Sequence, residues 1–278
     1  MDKDCLLRRN CFFIIVKKLI KKVKKDDIFA LASQLAYNLI LAFFPFLMFL
    51  MTLVGLSNLS SNDVLVSLKS ILPLNAYELI ESTVVEVVES QQKGLLWLSI
   101  LLALWTSSSG FSGVIKGLNK AYEVRETRSY FKVTYISILC TLAFALMIII
   151  TLFLMVFGDL IGKFLIIKFP FDKAIKFAWD MFRFIILISM MILIFASLYY
   201  FTPNRRLTWS EVLPGAVIST IGWLATSYGF SFYVNNFSNY SRFYGSLGAI
   251  FVLMTWLFLT SLLLLLGGEI NAVLAEDY

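Results

Sequence analysis

From Phe201 to Glu276 the chain carries two membrane-length apolar helices with the breaks between them still legible. A basic turn, Thr202-Pro203-Asn204-Arg205-Arg206, leads to a Pro214-Gly215 entry and a helix with small residues along one stripe. A polar hairpin follows, then a long apolar helix ending Gly267-Gly268-Glu269-Ile270-Asn271. Runs of about 20 apolar residues are what the hydrocarbon of a bilayer requires. With 59% hydrophobic and 15% charged residues among 278, the chain holds more apolar surface than a soluble domain of that size can bury. No polar stretch is long enough to close a core of its own.

The same reading along the chain gives an all-α, polytopic membrane bundle. Six spans are expected at about 30–56, 94–112, 133–158, 181–201, 212–234 and 246–271. The second is the weakest, because its apolar part meets Thr106-Ser107-Ser108-Ser109-Gly110. Residues 1–29 form a basic arm, and 30–278 a single membrane domain. Within the arm, Phe12, Ile15, Val16, Leu19, Ile20 and Val23 share one helical face. Lys17, Lys18, Lys21, Lys22, Lys24 and Lys25 share the other, an arrangement suited to anionic lipid headgroups. A merely basic arm that sets orientation is the alternative. Asp26 and Asp27 are positioned to cap the next helix.

Lysine and arginine set the orientation. Placing the amino terminus inside puts the arm, the 113–132 connection and Arg205-Arg206 in the cytoplasm, which holds most of the basic residues. Lys163, Lys168, Lys173 and Lys176, in an outer connection at 159–180, dilute the bias. Both termini are therefore expected in the cytoplasm. The outer segment 58–92 has two amphipathic stretches divided by Pro73, expected to pack on the outer ends of the bundle or lie in the interface; in a scaffold role they would bind an envelope protein partner. Its Glu78, Glu81, Glu86 and Glu89 read most simply as a solvated face.

Several residues could carry function, and each also has a structural reading. Gln34 and Asn38 in the first span are one helical turn apart and are expected to face the bundle interior. Pro45 removes a backbone donor and is placed to kink that span. Gly215, Ser219, Gly222, Thr226 and Gly229 form a stripe that either packs a neighbouring helix closely or lines a moving interface. Glu269 is an acidic residue inside the last span, with Arg205 or Arg206 as its expected ion-pair partner at the same depth. The run from Thr106 to Asn119, with Gly110 and Gly113, is expected either to break or to pack tightly. Gln34, Asn38, Asn119, Glu269 and Asn271 are the substrate-path candidates, all placed in the cytoplasmic half.

The chemistry expected is not enzymatic. There is no histidine, so His-ligated metals and His-based triads are excluded. The cytoplasmic carboxylates are scattered, Ser107 to Ser109 have no base beside them in sequence, and no Walker-type loop is present. No catalytic residue, metal or cofactor is assigned. Cys5, Cys11 and Cys140 lack the spacing of a disulfide framework. The basic arm would bind nucleic acid at most nonspecifically, so none is assigned as a partner. The start of the chain has no signal-peptide pattern: its first apolar run is short and leads into lysines.

Four elements in order resemble the YihY/BrkB family of bacterial inner-membrane proteins. They are Ala36-Tyr37-Asn38 through Phe44-Pro45, Ser108 to Tyr122 with its Gly-x-x-Lys-Gly-Leu-Asn-x-Ala-Tyr core, Tyr200 to Gly215, and Tyr244-Gly245-Ser246-Leu247-Gly248 through Gly268-Glu269-Ile270-Asn271. The resemblance implies a six-span plasma-membrane protein. The family's names suggest resistance to host killing, envelope stress or transport, and a ribonuclease label has also attached to it. Transport, export or lipid handling is the function expected here, with a membrane scaffold or envelope assembly factor as the alternative.

Overall fold

A computed structural model describes residues 9–55, 81, 96–168, 172–237 and 246–276. Apart from Glu81, the outer segment 58–92 lies outside the described residues, as does Cys5. Seven helices make up the described chain: α1 (Arg9–Lys25), α2 (Ile28–Gly55), α3 (Leu96–Ala121), α4 (Tyr130–Lys168), α5 (Asp172–Phe201), α6 (Trp209–Phe237) and α7 (Ser246–Glu276). No strand occurs among the described residues.

Helices α2 to α7 pack in chain order, each against the next, and α7 closes the circle onto α2. Helix α3 also reaches α7, and α1 lies against α7. Cross-helix contacts fix the directions. Lys22 meets Glu269, Arg128 bonds Thr202, and Gly215 bonds Asn271. The first residues of α2, α4 and α6 therefore sit at the same end as the last residues of α3, α5 and α7. Six helices alternating in this way return the chain to the end where it began.

The main core is at that end. Ile28, Ala32 and Leu35 of α2 meet Val114 and Leu118 of α3, Tyr199 of α5, Val212 and Ala216 of α6, and Leu265 and Ala272 of α7. A smaller cluster of Phe49, Ile100 and Ala145 lies toward the opposite end. The flanks are apolar and open: Leu102, Leu146, Phe184, Leu193, Ile221 and Phe251 are all exposed. Side chains of this kind on every flank require an apolar surrounding. Several hydroxyls in the same helices donate to a carbonyl one turn back, as Ser137 does to Val133, Thr141 to Ser137 and Thr255 to Phe251.

Three described helices are long and apolar enough to cross a membrane: Tyr130–Thr151, Phe177–Phe201 and Ile250–Ala275, with a shorter apolar stretch at Ile28–Phe43. Helix α4 has 39 residues and so is roughly 58 Å long, well beyond the hydrocarbon thickness. Most of the expected outer connection at 159–180 is accordingly helical, since α4 runs to Lys168 and α5 starts at Asp172.

Helix α3 does not break at its serines. It is continuous from Leu96 to Ala121, with Thr106, Ser107, Ser108 and Ser109 each donating to a carbonyl three or four residues back. Its glycines serve close packing on α2 instead. A β-carbon on Gly110 would stand 3.1 Å from Ala42 Cβ, and one on Gly113 would stand 2.9 Å from Asn38 Nδ2. Helix α2 likewise runs unbroken through Pro45.

Candidate functional site at the terminal end of the bundle

The seam between α6 and α7 is a close approach of two helix backbones. Gly215 N–H donates to Asn271 Oδ1 at 2.6 Å, and Asn271 Nδ2 donates to Val212 O at 3.1 Å. A β-carbon on Gly215 would run into Gly267 O and the Asn271 amide. One turn along, Tyr199 of α5 reaches into the same seam. Its hydroxyl donates to Leu264 O at 2.9 Å and lies 2.8 Å from Ser219 Oγ, which itself reaches Leu263 O at 3.1 Å. Gly267 leaves the room for both hydroxyls. The small stripe of α6 is thus a packing face as far as Gly222, where a β-carbon would meet Leu263 Cδ2 at 2.9 Å. Thr226 is half-buried, and Gly229 is exposed with nothing near its α-carbon face.

Beside this seam Glu269 is fully buried, with Lys22 Nζ 3.9 Å from Oε2. Lys22 is itself buried, and it comes from the arm. The ion pair formed is therefore with α1 rather than with Arg205 or Arg206, whose side chains are exposed. Depth along the helix had pointed to the turn, but the docking of α1 on α7 brings a nearer cation. Lys22 consequently leaves the set of lysines available to lipid headgroups. Asp26, one turn on from Lys22, is also buried, and Lys120 Nζ lies 3.9 Å from its Oδ1. Asp26 Oδ2 has no hydrogen-bond partner. Lys25 and Glu123 close the outside of this joint at 2.7 Å, and the Lys25 contact holds the Glu123 carboxyl below its usual range. Asp27 takes a left-handed φ of 53° between α1 and α2, and its carbonyl accepts Leu31 N–H.

Tyr122 sits where these groups converge. Burial pushes its hydroxyl up to about 12; the Asn271 side chain and Arg205 oppose that shift, while Glu211 and Glu269 add to it. Tyr122 packs in the core cluster that holds Leu118 of α3, Val212 of α6 and Ala272 of α7.

A third group of contacts forms a plate under the bundle. Asn119 Nδ2 donates to Glu126 Oε2 at 2.8 Å, and Asn119 Oδ1 accepts Asn204 N–H at 2.7 Å. Arg128 forks onto Glu126 at 2.8 and 2.7 Å and donates to Thr202 O at 2.8 Å. Chiefly through that fork, Glu126 is held at about 2.

Of the substrate-path candidates, Asn119, Glu269 and Asn271 gather at this end. Asn38 is half-buried against Gly113, and Gln34 is exposed. Gln34 misses the interior because Ile28, Ala32, Leu35 and Ala36 already claim the inward face of α2, and residue 34 falls opposite them. The sequence reading did not place Lys22, Tyr199, Asn204 or Arg128 in this site; Lys22 was assigned to lipid headgroups instead. Lys22 had one signal, its one-turn spacing from both Lys18 and Asp26, which puts a lysine between groups of opposite sign. Among the described residues no group of three or more Cys, Asp or Glu side chains could hold a metal.

Alternating helices with apolar flanks, several of span length, and a polar joint at one end define a multi-pass helical membrane protein. The chain belongs to the BrkB family: the sequence model of the family described as Virulence factor BrkB matches residues 19–278. It is 38% identical to the ribonuclease-like protein YfkH of Bacillus subtilis, over 93% of this chain and 94% of that one. It is 28% identical to a UPF0761 membrane protein of Alteromonas mediterranea, over 93% of this chain and 87% of that one. A UPF0761 membrane protein of Vibrio cholerae is 37% identical over 30% of this chain and 28% of its own length. No solved structure matches the chain.

Proposed function

We propose that this is a six-span protein of the bacterial plasma membrane, with both termini in the cytoplasm, that transports, exports or otherwise moves a substrate or lipid between its helices. Helices α2 to α7 are the six spans. Their alternation and the excess of lysine and arginine at the terminal end support this orientation.

The observation that carries the reading is Glu269. A carboxylate with no exposure, inside an apolar bundle and paired with a lysine, costs several kcal/mol to desolvate. Packing alone does not call for it, because Asn271 and Tyr199 already join α7 to its neighbours. The Lys22–Glu269 pair is the element that would open and close, with α1 as the moving part.

Asn119 and Asn271 support a second reading. Both amides are engaged in holding backbone and loops, as in a rigid scaffold for envelope assembly. A hydrolytic role, which the name of the Bacillus relative raises, would need a general acid and base open to substrate. Asp26 and Glu269 are instead buried beside lysines.

Reconstitution into vesicles tests the proposal. Flux of a small solute or scrambling of labelled lipid is expected from the wild type and is expected to change in Glu269→Gln. No flux or scrambling from the wild type, together with a Glu269→Gln variant that behaves like wild type in cells, would leave the scaffold reading standing.

A further inference from the structure

The turn from α5 to α6 is tied down at nearly every residue except two. Thr202 is buried, with its hydroxyl on Leu198 O at 2.6 Å and its carbonyl on Arg128. Pro203 is buried, and Leu207 plugs the core from the other side. Asn204 gives its N–H to Asn119 and its amide to Arg125 O and Thr127 Oγ1 at 3.0 and 2.8 Å. Arg205 and Arg206 are left side by side and exposed.

What flanks them is aromatic and then aliphatic. Tyr200 and Trp209 stack with centroids 4.8 Å apart and planes 11° apart, and Phe201 stands edge-on to both. From Trp209 an exposed apolar stripe runs along α6 through Leu213, Val217 and Ile221 at four-residue spacing. That stripe is roughly 18 Å long, a little more than half the hydrocarbon thickness. The nearby carboxylates accept hydrogen bonds from other residues. Glu211 Oε2 accepts the Thr208 N–H at 2.6 Å and its hydroxyl at 2.8 Å, contacts that, with a smaller contribution from the Arg205 charge, hold its carboxyl below the usual range, and Glu126 is taken by Arg128 and Asn119.

We propose that Arg205 and Arg206 bind the phosphate of an anionic phospholipid whose acyl chain lies along the Trp209–Ile221 stripe of α6. Guanidinium forks match phosphate oxygens, and stacked amphipathic rings sit at headgroup depth. The pre-set turn removes the ordering cost that free arginines would meet. The apolar stripe running from the cationic pair selects a lipid over a soluble acidic peptide. This site uses residues distinct from the Lys22–Glu269 pair and stands whether or not the bundle transports.

Native mass spectrometry of the purified full-length protein, titrated with phosphatidylglycerol or phosphatidylcholine of equal chain length, tests it. The wild type is expected to retain phosphatidylglycerol preferentially. Arg205→Gln with Arg206→Gln should lower that retention on the order of tenfold, while Lys17→Gln with Lys18→Gln and Lys21→Gln should leave the tightest lipid in place. Equal retention of the two lipids by the wild type, a comparison that needs no variant, would overturn the proposal. So would unchanged retention in the Arg205→Gln, Arg206→Gln protein, or displacement of the lipid by millimolar inorganic phosphate. The Arg205→Lys, Arg206→Lys protein keeps the charge without the fork and should fall between; retention equal to wild type would overturn the forked contact.

Discussion

Asn271 joins α7 to α6 by holding two backbone groups of α6 at once, the Gly215 N–H at 2.6 Å and the Val212 carbonyl at 3.1 Å. The amide presents an acceptor and a donor side by side, which matches a backbone N–H and a carbonyl that face it together. In an apolar surrounding such a contact must be satisfied internally.

Asn271→Leu removes both the acceptor facing the buried Gly215 N–H and the donor to Val212 O. We expect a loss of about 1–3 kcal/mol, read as a lower midpoint in thermal unfolding of the detergent-solubilised protein. An unchanged midpoint would show that the seam is held by packing alone.

Gly215→Ala and Gly229→Ala make the same change on the same helix with opposite expected signs. At Gly215 the new methyl meets backbone and the Asn271 amide, and overpacking costs about 1–3 kcal/mol or more. At Gly229 nothing lies within 4 Å, so better helix propensity should stabilise by up to about 1 kcal/mol. Equal effects at the two positions would contradict the close seam.

Lys22 and Glu269 should be strongly coupled. Lys22→Met leaves the buried carboxylate without that lysine and is expected to cost about 3–5 kcal/mol, whereas Lys22→Met with Glu269→Gln should recover much of the loss. A double-mutant cycle on unfolding midpoints checks this. Additive effects would mean that the two side chains do not interact.

Glu126 makes the plate of loops resistant to acid. Its carboxyl is held at about 2, first by Arg128, against an ordinary value of 4.5. A depressed value means that the contribution is present above pH 4.5 and is lost as pH falls toward 2. Hydrogen exchange at residues 123–128 should thus stay slow at pH 4. In Arg128→Ala protection should already fade between pH 5 and 4, and a profile identical to wild type would remove Arg128 as the cause.

The helices were legible because their apolar runs match membrane length, and the Gly215–Gly222 stripe because small residues at helical spacing have few other uses. Glu269 stood out for its charge in an apolar run. Its partner did not, because the arm's lysines look alike until α1 is docked. Gln34 was misplaced for a related reason: one polar residue on a helix does not say which face its neighbours have taken. The serines of α3 carried two readings, and internal hydrogen bonding decided between them. The arginines at 205 and 206 read as orientation signals and as partners for Glu269; the tethering of Asn204 and Thr202 is what distinguishes them from loop charge.

The gathering of the main core and its polar joints at one end has a consequence for how the protein is made. Lys22, Ile28 and Ala32 leave the ribosome long before Glu269, Leu265 and Ala272, the residues they pack against. Domains generally fold during synthesis from the amino terminus onward. Here the early helices cannot complete their contacts until α7 arrives. The segment from Lys22 to Ala32 must wait for its partners, and the arrival of α7 is the event that completes this core.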